Sequence, residues 1–404
     1  MIYASIDLGS DSVKVTVIER IDKQYNVLAS TNTRVVGIKK GIIRDETMVV
    51  KSLEVALLEI EKQLGFKIDK AIVAIPPYDA TIGVFNSETD VSGIVSGSDI
   101  ATCFKRAIKE NISNDREVIS VFPIDFLVNE EERVYDPKGM PAYKLETRIL
   151  ISTVPKELVY SYLEVFEKCH VEVIDLCFSC LGDYYQAFKK DYQHELGVLV
   201  DIGSAKTEIA IFNKGLLIKT DVLLEGSKKI DQDIKYIYKL DSKTARDIKE
   251  NFAVANLEHA LDDVLEVTNI EEETQVISQR EVSEVLEARL IDILKNVKKH
   301  INDLTNKEIS YIIITGGISN IPGFNSVVES IFGDITNTVG VNLLGARSNI
   351  YSSCIGMIKY LNDKFDLRGI NYSMFDTSLL KKDKRKNVLN DYLCEKIESY
   401  VNNN

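Results

Sequence analysis

At 404 residues the chain is too long for one ordinary domain, and 45% hydrophobic and 27% charged residues supply cores for two lobes or more. A formal net charge of −13 excludes broad binding to nucleic acid, whose phosphates would be repelled, so an anionic partner has to meet a local basic patch. No apolar run approaches the ~20 residues of a spanning helix, and six scattered cysteines fit thiols of a reducing cytoplasm better than a disulfide framework.

Met1 to Ser5 enter a strand at once, without the basic-then-apolar pattern of a secretory signal. Ile6 to Val17 then read as a β-branched strand, Asp7, one apolar residue, Gly9-Ser10, a polar turn and an alternating strand. The same order returns from Val200 to Ile211, with Asp201, Gly203-Ser204 and Ala205-Lys206. Gly9 and Gly203 remove a Cβ where backbone N–H groups approach a phosphate, and Ser10 and Ser204 add hydroxyl donors. Asp7 and Asp201, at strand ends, suit a Mg2+ that keeps most of its waters and spans nucleotide phosphates. One such hairpin alone reads more readily as a plain tight turn. Two opposed copies would clamp a triphosphate.

Further along, Cys177-Phe178-Ser179-Cys180 has metal-ligand spacing, but buried small residues fit it better than zinc or redox chemistry. Asp262, Asp263, Glu266 and Glu271 to Glu273 read as a solvated loop. Arg280 to Leu304 carry apolar residues at three- and four-residue steps from Val282 to Leu304, which predicts one long helix with a buried stripe. Tyr311 to Thr315 form a short buried strand ending in Gly316-Gly317-Ile318, a turn that either lets a flat base or ribose lie on bare backbone or simply connects strand to helix. Residues 361–378 lack periodicity and read as a linker. Lys381 to Lys386 carry four net positive charges, and Val388, Leu389, Tyr392, Leu393, Ile397, Tyr400 and Val401 follow as one apolar face. Residues 379–404 thus read as a basic amphipathic helix for an anionic membrane surface, or as a helix docking on protein.

The order of the two hairpins and the Gly-Gly turn resembles the phosphate-1, phosphate-2 and adenosine motifs of the actin, DnaK and sugar-kinase superfamily. Leu176 to Ala187 and Tyr351 to Tyr360 are similar to its connecting helices. Within it, Gly37-Ile38-Lys39-Lys40-Gly41-Ile42-Ile43-Arg44-Asp45 resembles a stretch of the FtsA family. Val118 to Val128, Asp136 to Met140, Leu145-Glu146 and Arg148 to Thr153 resemble the inserted 1C domain of that family.

The resemblance implies an α/β, actin/DnaK-type two-lobed ATPase fold with a small inserted α+β domain. Residues 1–82 would form the first lobe, completed by 166–190 and 340–360. The 1C-type insert would occupy 83–165 and the second lobe 191–339, with a subdomain at roughly 226–305. ATP and Mg2+ are the implied cofactors: Asp7 and Asp201 for metal and water, with Gly9, Ser10, Ser12, Lys14, Gly203, Ser204, Ala205 and Lys206 near phosphates. Arg246, Lys249, Gly316, Gly317 and Ile318 would border the nucleoside. The sequence departs from the family at Ser12, where lysine is common, at Arg246 in place of glutamate, and at Ser179 in place of an acid or amide. These changes bear on hydrolysis more than on binding.

The implied role is a cytoplasmic division adaptor, peripheral on the inner membrane face at the division site. It would self-assemble, bind the FtsZ C-terminal peptide near Arg280 and Glu284, and meet other division proteins, but not nucleic acid. Those two charges read otherwise as a solvated helix surface. The alternative is a PilM-like pilus-assembly adaptor. A chaperone ATPase would need a peptide-binding domain for which too little chain remains, and no sugar pocket marks a small-molecule kinase.

Overall fold

The computed structural model describes residues 1–338, 340–368, 370–376 and 378–379, so the basic amphipathic segment expected at 379–404 lies outside the described residues from 380 onward. Two five-stranded sheets are built alike. In the first, Ile2–Leu8 pairs antiparallel with Ser12–Ile21, which pairs with Gln24–Arg34, while Lys70–Ile75 and Glu172–Phe178 add parallel on the other side. In the second, Leu196–Ile202 pairs antiparallel with Thr207–Asn213, which pairs with Leu216–Leu223, while Tyr311–Thr315 and Thr336–Thr338 add parallel. The Asp-bearing strands are central and covered on both faces, which explains their near-continuous apolar runs.

Between the lobes' segments lies a separate four-stranded sheet, ordered Thr81–Ile94, Pro141–Pro155, Arg116–Val128 and Glu132–Val134. It carries the helix Gly97–Asn111, started by a Ser96–Asp99 capping box. The insert ends earlier than residue 165. Val159, Tyr162, Val165 and Phe166 of helix Lys156–Lys168 are buried in the first-lobe core, because its apolar stripe faces that sheet rather than the insert.

The second lobe adds helices Lys228–Ile237 and Ser242–Asn251 and a long helix, Gln279–Leu304. The long helix begins one residue before the expected Arg280, because Ser278 and Glu281 form a capping box, and it buries Val282, Leu286, Leu290, Ile293, Val297 and Ile301. The acidic segment is a hairpin rather than a loop: Val264–Thr268 pairs with Thr274–Ser278, and the Asn269 side chain holds its turn by accepting from the backbone N–H groups of Glu271 and Glu273.

The expected linker at 361–378 is also corrected. Helix Ser352–Arg368 runs through its first half, and Tyr372 to Phe375 return to the first strand. There Met374 N–H donates to Ile2 O at 3.0 Å and Tyr3 hydroxyl donates to Tyr372 O at 2.6 Å. Leu361, Met374 and Phe375 are buried, and that apolar cover outweighs the absence of periodicity.

Two helices join the lobes: Ser179–Ala187 and Ser352–Arg368. The first starts later than Leu176 because Leu176 to Phe178 remain in the strand. The helices cross on glycine. A Cβ at Gly356 would stand 1.6 Å from Gly182 O, and one at Gly182 would stand 2.6 Å from Ser353 O. Behind the crossing, Tyr184 stacks on Phe212 at 3.7 Å and Tyr192 on Tyr311 at 3.8 Å. Cys177 and Cys180 are free and buried here, with thiols pushed well up by burial, a packing role rather than a metal or redox one.

Candidate functional site

Each hairpin turn closes in the same way. Gly9 N–H donates to Ser12 O at 3.1 Å, and Gly203 N–H donates to Lys206 O at 3.0 Å. Asp7 lies across from Lys14, and Asp201 lies across from Glu208. The second turn is further held by Ser227 and Lys228, whose N–H groups donate to Gly203 O and Ser204 O at the start of helix Lys228–Ile237. Gly226 makes that approach possible, since a Cβ there would meet Gly203 O at 2.5 Å.

The two turns face one cavity of about 420 Å3 between the lobes. Asp7, Ser12, Lys14, Asp201, Gly203, Ser204, Arg246, Lys249, Gly316, Gly317 and Ile318 all line it. Gly9, Ser10 and Lys206 line an adjoining recess of about 70 Å3, shared with Asp7 and Asp201. Ala205 lies in the turn and lines neither. Arg280 and Glu284 are exposed on the long helix, away from the cavity.

The charges are unevenly matched. Lys14 Nζ is 3.3 Å from Asp7 Oδ2, and Lys206 pairs with the fully buried Glu208. Burial alone would lower both amines; Asp7 and Glu208 respectively outweigh it and hold them above the usual lysine value. Ser179 hydroxyl donates to Glu208 Oε2 at 2.6 Å, tying a connecting helix of one lobe to a strand of the other. Burial and then Glu208 push Asp201 up to about 7, with Lys206 pulling the other way. Asp183, 3% exposed on the first connecting helix, is pushed well up by burial and then by Asp201.

Four carboxyl groups (Asp7, Asp183, Asp201 and Glu208) thus gather around two amines. Asp183 Oδ2, Ser10 Oγ and Ser353 Oγ are buried without hydrogen-bond partners. Excess acid beside unused hydroxyls and bare glycine fits a divalent cation carrying phosphates. Among the described residues no three acidic, His or Cys side chains form a direct metal cage.

At the far end, Gly316 has φ 105°, and a Cβ would stand 2.3 Å from Ile202 O and 2.7 Å from Asp201 Oδ1. Gly317 leaves backbone open opposite Ile350. Arg246 pairs with Asp11 across the cleft mouth, and Lys249 pairs with Asp231 at 2.7 Å. A depression of about 480 Å3 on the insert is larger, but its charges answer one another: Asp125 with Arg133 and Arg148, Arg106 with Glu110. It leaves little for a ligand to satisfy.

Sequence reasoning missed Asp11, Asp183, Glu208 and Asp231. Glu208 was available from the internal echo, because it stands as far after Asp201 as Lys14 stands after Asp7. Asp183 had a weaker signal, an acid amid Leu181, Gly182 and Tyr184. Asp11 and Asp231 depend on tertiary pairing and had none.

Two lobes of one repeated topology, joined by crossing helices around this cleft, define an actin-like fold. Solved structures agree. The chain is similar to a structure described as the PilM-PilN type IV pilus biogenesis complex, with TM-score 0.60 and 11% identity, covering 92% of this chain and 99% of that one. It is also similar to MreB5 of Spiroplasma citri bound to ADP, with TM-score 0.57 and 14% identity, covering 91% and 98%.

The family model for cell division protein FtsA matches residues 198–356, and that for the SHS2 domain inserted in FtsA matches residues 80–153. Cell division protein FtsA of Bacillus subtilis (strain 168) is 28% identical over 388 residues, covering 92% of this chain and 87% of the relative. The chain belongs to the FtsA family.

Proposed function

We propose that the chain is an ATP-binding, actin-like division adaptor that self-assembles, binds the FtsZ C-terminal tail and tethers FtsZ filaments to the inner face of the cytoplasmic membrane at the division site. The observation that carries the nucleotide part is the single cavity shared by the Asp7 and Asp201 turns. Bound there, Mg2+ would neutralise phosphate charge. Asp7 and Asp201 hold it through water and orient that water. Gly9, Ser10, Ser12, Lys14, Gly203, Ser204, Ala205 and Lys206 surround the phosphates with N–H, hydroxyl and ammonium donors. Gly316, Gly317 and Ile318 offer a flat backbone to the nucleoside, with Arg246 and Lys249 at its edge.

Nucleotide acts by favouring one relative setting of the lobes, a shift in population that changes the surfaces offered for self-assembly and for other division proteins. Family membership supports this division role over a pilus adaptor, since the PilM likeness concerns the fold alone. Arg280 and Glu284 are the contacts proposed for the FtsZ tail, and 379–404 the segment proposed for anionic lipid.

Co-sedimentation with FtsZ and anionic liposomes tests the assignment. Pelleting of FtsZ with liposomes is expected only when the chain is present, to increase with Mg·ATP, and to fail when residues 379–404 are deleted. Arg280→Glu is expected to weaken FtsZ capture alone. FtsZ pelleting that ignores the chain would reject the adaptor role, and liposome capture that survives the deletion would reject the tail assignment.

A further inference from the structure

Among the acidic groups of the cleft, Asp183 is the one whose surroundings leave it unexplained. It lies in the interior of helix Ser179–Ala187, is 3% exposed, and lines the same cavity as Asp7 and Asp201. Its Oδ2 has no hydrogen-bond partner, although a buried acceptor left unmet costs about 1–3 kcal/mol. Of its polar neighbours, Ser352 hydrogen-bonds the carboxyl group but leaves Oδ2 unmet, Ser179 is committed to Glu208, and Lys14 to Asp7. Nor can the helix turn to release the carboxyl, because the Gly182–Gly356 contact fixes its rotation.

We propose that Asp183 is a third carboxylate of the cation site, holding the divalent ion through a bound water that donates to Oδ2. The assignment rests on the nucleotide reading of this cleft. A cation that keeps its waters needs acceptors at one water's remove, and such acceptors set its affinity although they never touch it. Asp7 and Asp201 supply two such groups from opposite lobes; Asp183 supplies one from the joint between them.

The test is calorimetric titration of ATP into the full chain, in excess Mg2+ and in EDTA, for wild type and Asp183→Asn. The variant keeps the shape and cannot become a carboxylate. Its affinity is expected to fall about 10–100-fold in Mg2+, and to hold in EDTA, where there is no cation for the carboxylate to serve. Equal losses under both conditions would mean a structural role and overturn the proposal, as would an unchanged affinity in Mg2+. Wild type that binds no ATP in either condition would instead sink the nucleotide reading itself. Denaturant midpoints verify folding, and Asp183→Ser provides the same comparison should the asparagine variant not fold.

Discussion

The two hairpins share a backbone and differ in the charge set across from their aspartates. In the first lobe Asp7 faces Lys14, an opposite charge. In the second lobe Asp201 faces Glu208, a like charge, and Lys206, in the turn just before that strand, neutralises Glu208 instead. One aspartate is therefore charge-compensated before any ligand arrives and the other is held under repulsion. A cation bound beside Asp201, as proposed, would relieve that repulsion.

The sharpest break of this comparison is Glu208→Ala. It leaves Lys206 buried without its partner, and losing one member of a buried pair typically costs about 3–5 kcal/mol. Urea unfolding of the ligand-free chain should show a loss of that order, and a loss below 1 kcal/mol would mean the pair does not hold the second turn. Next comes Asp201→Asn. A carboxyl raised to about 7 keeps a proton in the folded chain that the unfolded chain has already released above about 4. Stability from this group is therefore lost as pH rises from about 4 to 7, the opposite of an ion-paired aspartate. At pH 8 the asparagine variant is expected to be the more stable, by about 3 kcal/mol after allowing for solvent contact. At pH 4 it should match wild type. Urea midpoints across pH 4–8 check both.

In the first hairpin the sign reverses. Asp7→Asn removes the partner of Lys14 and should destabilise by about 1–2 kcal/mol, less than Glu208→Ala because both side chains keep some solvent, at 16% and 18% exposure. A stabilising Asp7→Asn would erase the contrast. The smallest effect is expected at the cleft mouth. Arg246→Ala breaks a partly exposed bridge to Asp11 and should cost no more than about 1 kcal/mol by urea unfolding.

What the sequence disclosed follows from how local each signal is. The paired Asp-x-Gly-Ser turns and the Gly-Gly strand end are short-range patterns, legible within a few residues, and all three line the cavity or its recess; the backbone itself demands glycine at Gly316. The long helix was legible from its stripe, and its start shifted by one residue only because the capping box sits just ahead. The return of Tyr372 to Phe375 onto the first strand was not legible. A few apolar residues after a helix show no period, and their burial depends on a strand some 370 residues away. The Asp11–Arg246 and Asp231–Lys249 bridges were hidden for the same reason, since the first pairs only across the two lobes and the second only when two neighbouring helices of one lobe pack together.

The account stands or falls on the space between the two aspartates being where Mg·ATP binds. Calorimetric titration of ATP into the wild-type chain in Mg2+ should give one site per chain, and Asp7→Ala should weaken it by at least about tenfold, as loss of a cation-holding carboxylate does. Equal affinity in the two proteins would contradict it.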